Sequence, residues 1–206
     1  MIEPSLGDAN LVDASRLRVL ERILREAQRI GALSNAPVAE IISHAKWFAD
    51  AVPHTARTAV DLGSGAGVPG LIVALFCPLL NIQLVDRRVG RTDVLVRAVH
   101  ALNLVDRVTV KCCEITDMTK DSTWAKHFDV AMSRGLGPPI QTLNLSRDLV
   151  KPGGAIIISE PPPDTDSRWD QQQVRALGLE GPLRIGAVAM FHVKQFGSDD
   201  DESTAS

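Results

Sequence analysis

A strand, a glycine-rich turn and a helix follow one another near residue 60, and they are the first candidates for chemistry. The strand at 58–62 runs into the turn GSGAG at 63–67, and an apolar helix follows at 69–77. Glycines permit positive φ and close approach of a ligand, and the main-chain N–H groups of a helix start point outward. This order of elements is typical of a nucleotide-binding turn, although a tight turn without a ligand has the same composition.

Two carboxylates accompany this turn. Asp86 closes the next strand, 81–86, where a carboxylate can accept hydrogen bonds from both ribose hydroxyls of an adenosine-type cofactor. Asp61 precedes the turn and would repel a pyrophosphate, whereas it would attract the ammonium and sulfonium groups of S-adenosylmethionine (SAM). The P-loop sequence Gly-Lys-Ser/Thr is absent, which argues against ATP or GTP hydrolysis. The residues favour SAM as the cofactor, and an NAD-dependent oxidoreductase is the alternative.

The elements that must position these groups alternate between strand and helix. Strands are predicted near 58–62, 81–86, 107–112, 128–132 and 154–159. Helices are predicted near 69–77, 91–103, 139–150 and 168–178. This alternation predicts an α/β fold with a doubly wound, mostly parallel sheet. The segment 183–194 predicts one or two further strands, which can pair antiparallel at the sheet edge.

Two helices are predicted before the first strand. Residues 12–31 carry apolar side chains at helical spacing, and Pro37 can open a second helix that runs to about residue 51. The polar face of the first helix is a basic stripe of Arg18, Arg22, Arg25 and Arg29. This stripe is either a solvated face supported by neighbouring glutamates or a surface that contacts phosphate.

Length and charge limit the class of protein. The chain has 206 residues, of which 45% are hydrophobic, and this predicts one compact domain over 1–196 with a helical N-terminal extension at 1–55. The acidic segment 197–206 is predicted to be a disordered tail. The net charge is −3, and four of the acids lie in that tail. The remaining chain is close to neutral, so any basic surface must be local.

Several classes of protein are disfavoured by what the sequence lacks. Neither the three cysteines nor the five histidines have metal-ligand spacing, so no metal is expected. No apolar run approaches the ~20 residues of a membrane span, and the acidic start does not resemble a signal peptide. We therefore expect a cytoplasmic monomer without a membrane partner. Three tryptophans are either stacking platforms for a base or packing residues: Trp47, Trp124 and Trp169.

A series of motifs carries a family resemblance. In chain order they are IISHAKWFADAVP, DLGSGAGVPG, LVD at 84–86, ITD at 115–117, FDVAMSRG at 128–135 and LVKPGGAIII at 149–158. On these motifs the chain resembles the ribosomal RNA small-subunit methyltransferase G family, also called glucose-inhibited division protein B, among the class I SAM-dependent methyltransferases. The resemblance implies a Rossmann-like fold and methylation of N7 of a guanine in 16S ribosomal RNA. The implied partner is the 16S rRNA or the small ribosomal subunit.

The resemblance also implies positions for the cofactor. It places Ile115 and Thr116 beside the adenine. It further implies contacts from Gly63, Val68 and Arg134. Together with the candidates from residue chemistry, the predicted cofactor-binding set is Asp61, Gly63, Gly65, Gly67, Val68, Asp86, Ile115, Thr116 and Arg134.

Arg134 and Glu160 are the predicted catalytic residues. Arg134 follows the fourth strand, where open α/β sheets bind ligands, and its guanidinium suits SAM, a phosphate or the guanine acceptors O6 and N7. Its alternative is a surface arginine paired with an acid such as Asp129. Glu160 stands where the family commonly has Lys-Gly, and it could accept hydrogen bonds from guanine N1–H and N2–H. Its alternative is a solvated acid in a Pro-rich loop.

The chemistry of guanine N7 requires little from the protein. The nitrogen has a lone pair and no proton, so the enzyme mainly supplies alignment and desolvation. The sequence accordingly shows no Ser/His/Asp or Cys/His set near the glycine turn. The same absence would suit a noncatalytic SAM-binding module. A class I methyltransferase that acts on a small molecule or a protein is a further alternative.

Overall fold

A computed structural model of the chain describes residues 13–162 and 167–195. The helices in this part are α1 (Ala14–Arg29), α2 (Val38–Ala51), α3 (Gly70–Phe76), α4 (Val89–Ala101), α5 (Ile115–Lys120), α6 (Pro139–Leu149) and α7 (Gln171–Ala176). The strands are β1 (Thr58–Leu62), β2 (Asn81–Asp86), β3 (Val108–Cys112), β4 (Phe128–Ser133), β5 (Val150–Ser159), β6 (Leu179–Ile185) and β7 (Val188–Val193).

The strands of the described chain form one seven-stranded sheet in the order β3-β2-β1-β4-β5-β7-β6. The first five in this order are parallel, and β7 pairs antiparallel with β5 and β6. Parallel neighbours require crossover connections, which α3, α4, α5 and α6 supply. The predicted doubly wound, mostly parallel sheet is therefore confirmed, and so are the antiparallel strands at its edge.

Each face of the sheet is covered by its own hydrophobic core. Helices α1 to α4 cover one face, with Phe48 and Leu71 fully buried, and α5 to α7 cover the other. Successive side chains of a strand point to opposite faces. In β1, Ala59 packs in the first core and Val60 in the second. Asp61 therefore points to the same face as Ala59, towards α3.

The two N-terminal helices belong to the first core. Helix α1 begins after Asp13, whose Oδ1 accepts a hydrogen bond from the Ser15 amide at 2.9 Å and caps the helix. It buries Leu20 and Leu24 in the same cluster as Phe48 of α2. Helix α2 thus covers the sheet face at β5 and β7, and α1 packs on α2 and α4.

The basic stripe of α1 lies on its exposed face. Arg25 pairs with Glu21 at 3.1 Å, and Arg29 pairs with Glu26 at 2.6 Å. Exposed ion pairs of this kind contribute little stability, but they balance two of the four positive charges of the stripe. This pairing favours the interpretation of the stripe as a solvated face.

The structure departs most from the sequence-based expectations in three elements, while most other boundaries shift by one or two residues. Helix α5 occupies residues expected to form a loop, because six residues are too few to show helical periodicity. Strand β5 begins at Val150, which pairs with Phe128 before the register shifts at Val130. Helix α7 is shorter than expected, because the Asp170 carboxylate accepts amide hydrogen bonds at its start and caps it there.

Parts of the sequence-based predictions fall outside the described residues. The acidic segment 197–206 lies there, so its disorder stays a prediction, as do the domain bounds. In the described part, no helix combines the length and apolar character that a bilayer crossing requires. The same residues contain no group of three or more His, Cys, Asp or Glu side chains arranged to hold a metal ion.

Asp129 joins three strands at the edge of the sheet where they begin. Its Oδ2 accepts hydrogen bonds from the amides of Arg57 at 2.8 Å and Thr58 at 2.9 Å, and Lys151 Nζ lies 2.7 Å from Oδ1. Partial burial by itself raises the pKa of Asp129, but the hydrogen bonds from Lys151, Arg57 and Thr58 outweigh it and lower the pKa to about 2. The ionised carboxylate is therefore part of the folded state.

The acid sensitivity of folding should depend on Asp129. Because its pKa falls from 3.8 to about 2 on folding, its contribution is complete above about pH 4 and is lost as the pH falls towards 2. The shift corresponds to about 2 kcal/mol. We expect Asp129→Asn to lower the free energy of unfolding by about that amount at neutral pH and by much less near pH 2, as measured by urea unfolding. Asp93→Asn, at an exposed position on α4, is the control and should change little at either pH.

Candidate functional site

The candidate site lies at the carboxyl edge of the sheet, the edge where the five parallel strands end. Strands β1 and β4 are neighbours, but β1 leads on to β2 on one side and β4 leads on to β5 on the other. Such a reversal opens a crevice at the strand ends. The glycine turn leaves β1 and Arg134 follows β4, and the register pairs Leu62 with Ser133. The fold thus brings the predicted turn and Arg134 side by side.

The glycine turn needs its glycines for conformation and for space. Gly63, Gly65 and Gly67 have φ of 74°, 56° and 88°, in the left-handed region that disfavours other residues. A methyl group on Gly63 would lie 2.8 Å from Leu136 Cδ1, and one on Gly67 would collide with the Leu71 side chain. The turn is therefore closely packed from both sides.

Most amides of the turn are used within the protein. Those of Gly63 and Ser64 donate to the Val85 carbonyl at 2.9 and 2.8 Å, and the Gly65 amide donates to Asp86 Oδ2 at 3.0 Å. Within the described chain, the amides of Ala66 and Val68 have no hydrogen-bond partner. The expectation that all amides of the turn point at a ligand is therefore wrong, and only those of Ala66 and Val68 are available to one.

Asp61 is fully buried beneath the turn. Its Oδ2 accepts a hydrogen bond from the Gly70 amide at 3.0 Å, and Oδ1 has no partner within the described residues. The neighbouring Ser64 hydroxyl donates to the main-chain oxygen of Asp61 at 2.9 Å. Burial, with a smaller contribution from the Asp86 carboxylate, raises the pKa of Asp61 to about 7. The site thus contains a buried carboxyl group that is about half ionised at neutral pH, and a positive charge near it would favour the ionised form.

Asp86 ends β2 and is almost fully buried. Its Oδ1 accepts a hydrogen bond from the Arg88 amide at 2.9 Å, and Arg91 Nη1 lies 3.4 Å from Oδ2. With the bond from Gly65, these contacts hold the carboxylate beside the glycine turn. Oδ1 accepts one hydrogen bond and keeps a lone pair for a ribose hydroxyl, whereas Oδ2 already accepts from both the Gly65 amide and Arg91. The long Arg91 contact is the one that a ligand would displace most easily.

Arg134 is half-buried and has no hydrogen bond or ion pair within the described residues. Its suggested partner Asp129 lies at the other end of β4 and pairs with Lys151, so that alternative is wrong. Burial lowers the pKa of Arg134, whose guanidinium nevertheless stays charged. A partly desolvated cation without a counter-ion at the end of a central strand is available to a ligand.

His44 of α2 lies near Arg134 and was not singled out from the sequence. Its Nδ1 is buried and has no hydrogen-bond partner within the described residues. Burial lowers the pKa of His44, and the charge of Arg134 lowers it further, so the imidazole is neutral at physiological pH. No sequence signal could have found this contact, because 90 residues separate the two in the chain.

Ile115 and Thr116 open α5, directly after β3 ends at this edge. Ile115 packs against the second core, whereas the Thr116 side chain is exposed. The amides of Ile115 and Thr116 donate to no carbonyl within the described chain. The first hydrogen bonds of the helix are those from the amides of Asp117 and Met118 to the Glu114 carbonyl. The two residues therefore border the same edge as Asp86, on the β3 side.

Glu160 requires a correction. Its side chain is only 7% exposed, and Oε1 accepts hydrogen bonds from Arg168 Nε at 3.1 Å and Trp169 Nε1 at 2.8 Å. Arg184 Nη1 lies 3.8 Å from Oε2. The glutamate is therefore neither a solvated acid nor a vacant acceptor for guanine. It is an internal counter-ion, and we do not retain it as a catalytic candidate.

The three tryptophans have different surroundings. Trp169 is buried and packs edge-on against Phe191, and Trp124 stacks on Phe128 with Lys111 Nζ 4.9 Å from its ring centroid. Trp47 is 41% exposed. Of the three stacking candidates, Trp47 therefore has the most open ring.

A cavity of about 800 Å³ lies away from this site. It is lined by Arg57 and Leu80, which directly precede β1 and β2, and so it opens at the opposite edge of the sheet. Cys77 also lines it, and burial raises the pKa of this thiol to about 11, which leaves it unreactive. We therefore do not consider this cavity a candidate active site, despite its volume.

Comparisons with known proteins agree with this geometry. The family model for rRNA small subunit methyltransferase G matches residues 20–163, well over half of the chain. A ribosomal RNA small subunit methyltransferase G of Parasynechococcus marenigrum is 38% identical over 118 residues, which cover 56% of this chain and 47% of the relative. One from a Nocardioides species is 39% identical over 100 residues, covering 48% and 38%. The chain spans about half the length of these relatives or less.

Solved structures of methyltransferases share the fold. An O-methyltransferase family protein from Burkholderia thailandensis has a TM-score of 0.57 at 20% identity and covers 89% of this chain and 69% of its own. The O-methyltransferase from Bacillus cereus, described in complex with SAH, has a TM-score of 0.59 at 13% identity, covering 86% and 91%. At these identities the likeness concerns the fold alone. Since the matching family model covers most of the sheet and the glycine turn, the chain belongs to the rRNA small subunit methyltransferase G family.

Proposed function

We propose that the chain transfers the methyl group of SAM to N7 of a guanine in 16S ribosomal RNA. The observation that carries the proposal is the buried Asp61, whose Oδ1 lacks a partner within the described residues beneath a glycine turn. Membership of the rRNA small subunit methyltransferase G family supports the nucleic-acid substrate. The guanine N7 target follows from the motif resemblance.

The residues present fit SAM better than a dinucleotide. A cationic ligand above the turn would stabilise the Asp61 carboxylate, whereas a diphosphate would add a second negative charge beside it. The two open amides, of Ala66 and Val68, provide few donors for phosphates. Asp86 is held where it can accept ribose hydroxyls, and Ile115 and Thr116 border the neighbouring position for an adenine.

The predicted glycines keep the cradle open. Gly63, Gly65 and Gly67 keep the chain close to β1 without side chains above it, at φ values that other residues rarely adopt. Bound SAM would supply an electrophilic methyl group carried on a sulfonium. The role of the turn is to bind SAM and to exclude water from the reacting centre.

Arg134 is the proposed substrate-contacting residue. Its guanidinium has no partner within the described residues and lies at the end of β4, next to the turn. It can donate hydrogen bonds to a phosphate or to guanine O6, and so fix the plane of the base. Guanine N7 carries no proton, so no side chain needs to act as a general base. Alignment by Arg134 and desolvation are then the main contributions of the chain.

Calorimetry should show binding of SAM and S-adenosylhomocysteine and no binding of NAD. Because the pKa of Asp61 is about 7 without a ligand, binding of an ammonium group must release its proton at lower pH. We expect the affinity to rise between about pH 5 and pH 7, by at most tenfold per pH unit, and then to level off. Tight NAD binding with indifference to SAM would contradict the cofactor assignment.

Asp61→Asn should raise the stability of the ligand-free protein while it weakens SAM binding. On folding, the pKa rises from 3.8 to about 7, so the wild-type protein loses stability as the pH rises from about 4 to 7, and the loss then stays constant. Asparagine cannot ionise. We expect the ligand-free variant to gain up to about 4 kcal/mol relative to the wild type between pH 4 and pH 8, measured by urea unfolding. SAM affinity should fall and lose its pH dependence. An equal stability difference at both pH values would contradict the buried charge.

Methyl transfer to RNA should depend on Arg134. We expect label from SAM in small-subunit rRNA and 7-methylguanosine in its nucleoside digest by mass spectrometry. Arg134→Gln should lower the rate by about 10- to 100-fold, as for loss of a hydrogen bond from a charged group. Arg97→Gln, at an exposed position on α4, is the matched control and should keep the wild-type rate. SAM binding without transfer would identify a noncatalytic module, and transfer to other molecules alone would refute the RNA substrate.

A further inference from the structure

Trp47 on α2 is an exposed aromatic side chain next to the candidate site. It is 41% exposed, whereas aromatic side chains normally bury most of their surface. Its indole nitrogen has no hydrogen-bond partner within the described residues. His44, the neighbour of Arg134, lies one helical turn before it on α2. The helix therefore presents Trp47 beside the Arg134 side of the carboxyl edge.

The ring of Trp47 lies flat on the tip of the β6–β7 hairpin. A methyl group built on Gly186 would collide with ring atoms Cδ2, Cε2 and Cε3 of Trp47 alike. Cδ2 is a ring-fusion atom that is bonded to both Cε2 and Cε3. Because the built methyl group is nearest to this inner atom, Gly186 approaches the face of the indole and not its edge. Gly186 therefore covers part of one face of the ring, and Trp47 as a whole remains 41% exposed.

One cationic side chain is held next to Trp47 through Gly186. Arg184 Nε donates to the carbonyl of Gly186, the residue against the ring, at 3.1 Å, and its Nη2 donates to the Pro161 carbonyl at 2.6 Å. Its side chain remains 36% exposed. Arg168 lies on the other side of Glu160.

The charges on this side of the edge do not cancel. Two guanidiniums, those of Arg168 and Arg184, share the single carboxylate of Glu160, and Arg134 has no ion pair within the described residues. This side of the edge therefore carries excess positive charge, although the chain as a whole has a net charge of −3. It combines that charge with the exposed side chain of Trp47.

We propose that this surface binds a single-stranded segment of the RNA substrate, with one base stacked on the exposed indole of Trp47 and a phosphate held by Arg184. Stacking requires a base whose face is free, which a duplex does not offer, and a guanidinium beside the ring suits the phosphate that accompanies the base. The stacked nucleotide is a neighbour of the target guanine. This inference rests on the proposed function and specifies how the RNA is held.

Binding of a short, dye-labelled single-stranded RNA oligonucleotide tests the aromatic contact. We expect Trp47→Ala to weaken binding by about 5- to 100-fold and Trp47→Phe to recover most of the loss, since phenylalanine also stacks. Leu79→Ala is the matched control, because it removes an even more exposed apolar side chain at the opposite edge of the sheet. RNA should also quench part of the intrinsic tryptophan fluorescence, and Trp47→Phe should abolish that quenching.

The salt dependence of binding tests the ionic contact. Arg184→Gln should lower the slope of log Kd against log salt concentration by about 0.7, the value for one phosphate contact to a single strand. Arg97→Gln should leave the slope unchanged. Equal slopes for the two variants would overturn the role of Arg184.

The outcomes separate this inference from the proposed function. SAM binding and thermal stability of Trp47→Ala should match the wild type, so weaker RNA binding cannot come from misfolding. If the wild-type protein binds no RNA and methylates none, the proposed function fails. If it methylates RNA while Trp47→Ala binds as tightly as the wild type, only the stacking on Trp47 is wrong. Equal affinity for duplex RNA, or tighter binding of an acidic peptide, would also overturn it.

Discussion

A carboxylate buried at the end of a central strand governs the layout of this protein. Asp61 is fully buried, and one of its oxygens is bound by the amide of Gly70 at the start of α3. A side chain at position 70 would lie only 2.5 Å from that oxygen, so the helix can begin against β1 only with glycine there. Burying a carboxylate with one oxygen unpaired is costly. The pKa of about 7 expresses that cost, and a cationic ligand is the simplest way to offset it.

Buried carboxylates and a guanidinium without a partner lie at different strands of the carboxyl edge. Asp61 and Asp86 are buried at β1 and β2, where Arg91 lies 3.4 Å from Asp86 Oδ2. Arg134 follows β4 and has no ion pair within the described residues, while Arg184 of the β6–β7 hairpin lies 3.8 Å from Glu160. The buried carboxylates suit the positively charged methyl donor and the ribose that we propose, and Arg134 suits the proposed polyanion. A near-neutral chain can bind both, because the local charge matters more than the total.

Much of the fold could be predicted because it follows from short-range patterns. The strands alternate with helices, and parallel pairing then requires the doubly wound arrangement. Helix α5 and the start of β5 could not be predicted in this way. A six-residue helix is shorter than the window in which periodicity is visible, and the early start of β5 depends on a register shift against β4.

For the site, the sequence by itself determined which residues gather at the edge, since a residue at the end of a parallel strand must lie there. Asp61, Asp86 and Arg134 were found in that way. Only the tertiary structure decided which of them remain available. Glu160 is enclosed by Arg168 and Trp169 and lies near Arg184 of the hairpin, while Arg134 lacks a partner within the described residues. Hydrogen bonds and ion pairs depend on distances of a few ångströms between distant segments, and such distances exist only once the chain has folded.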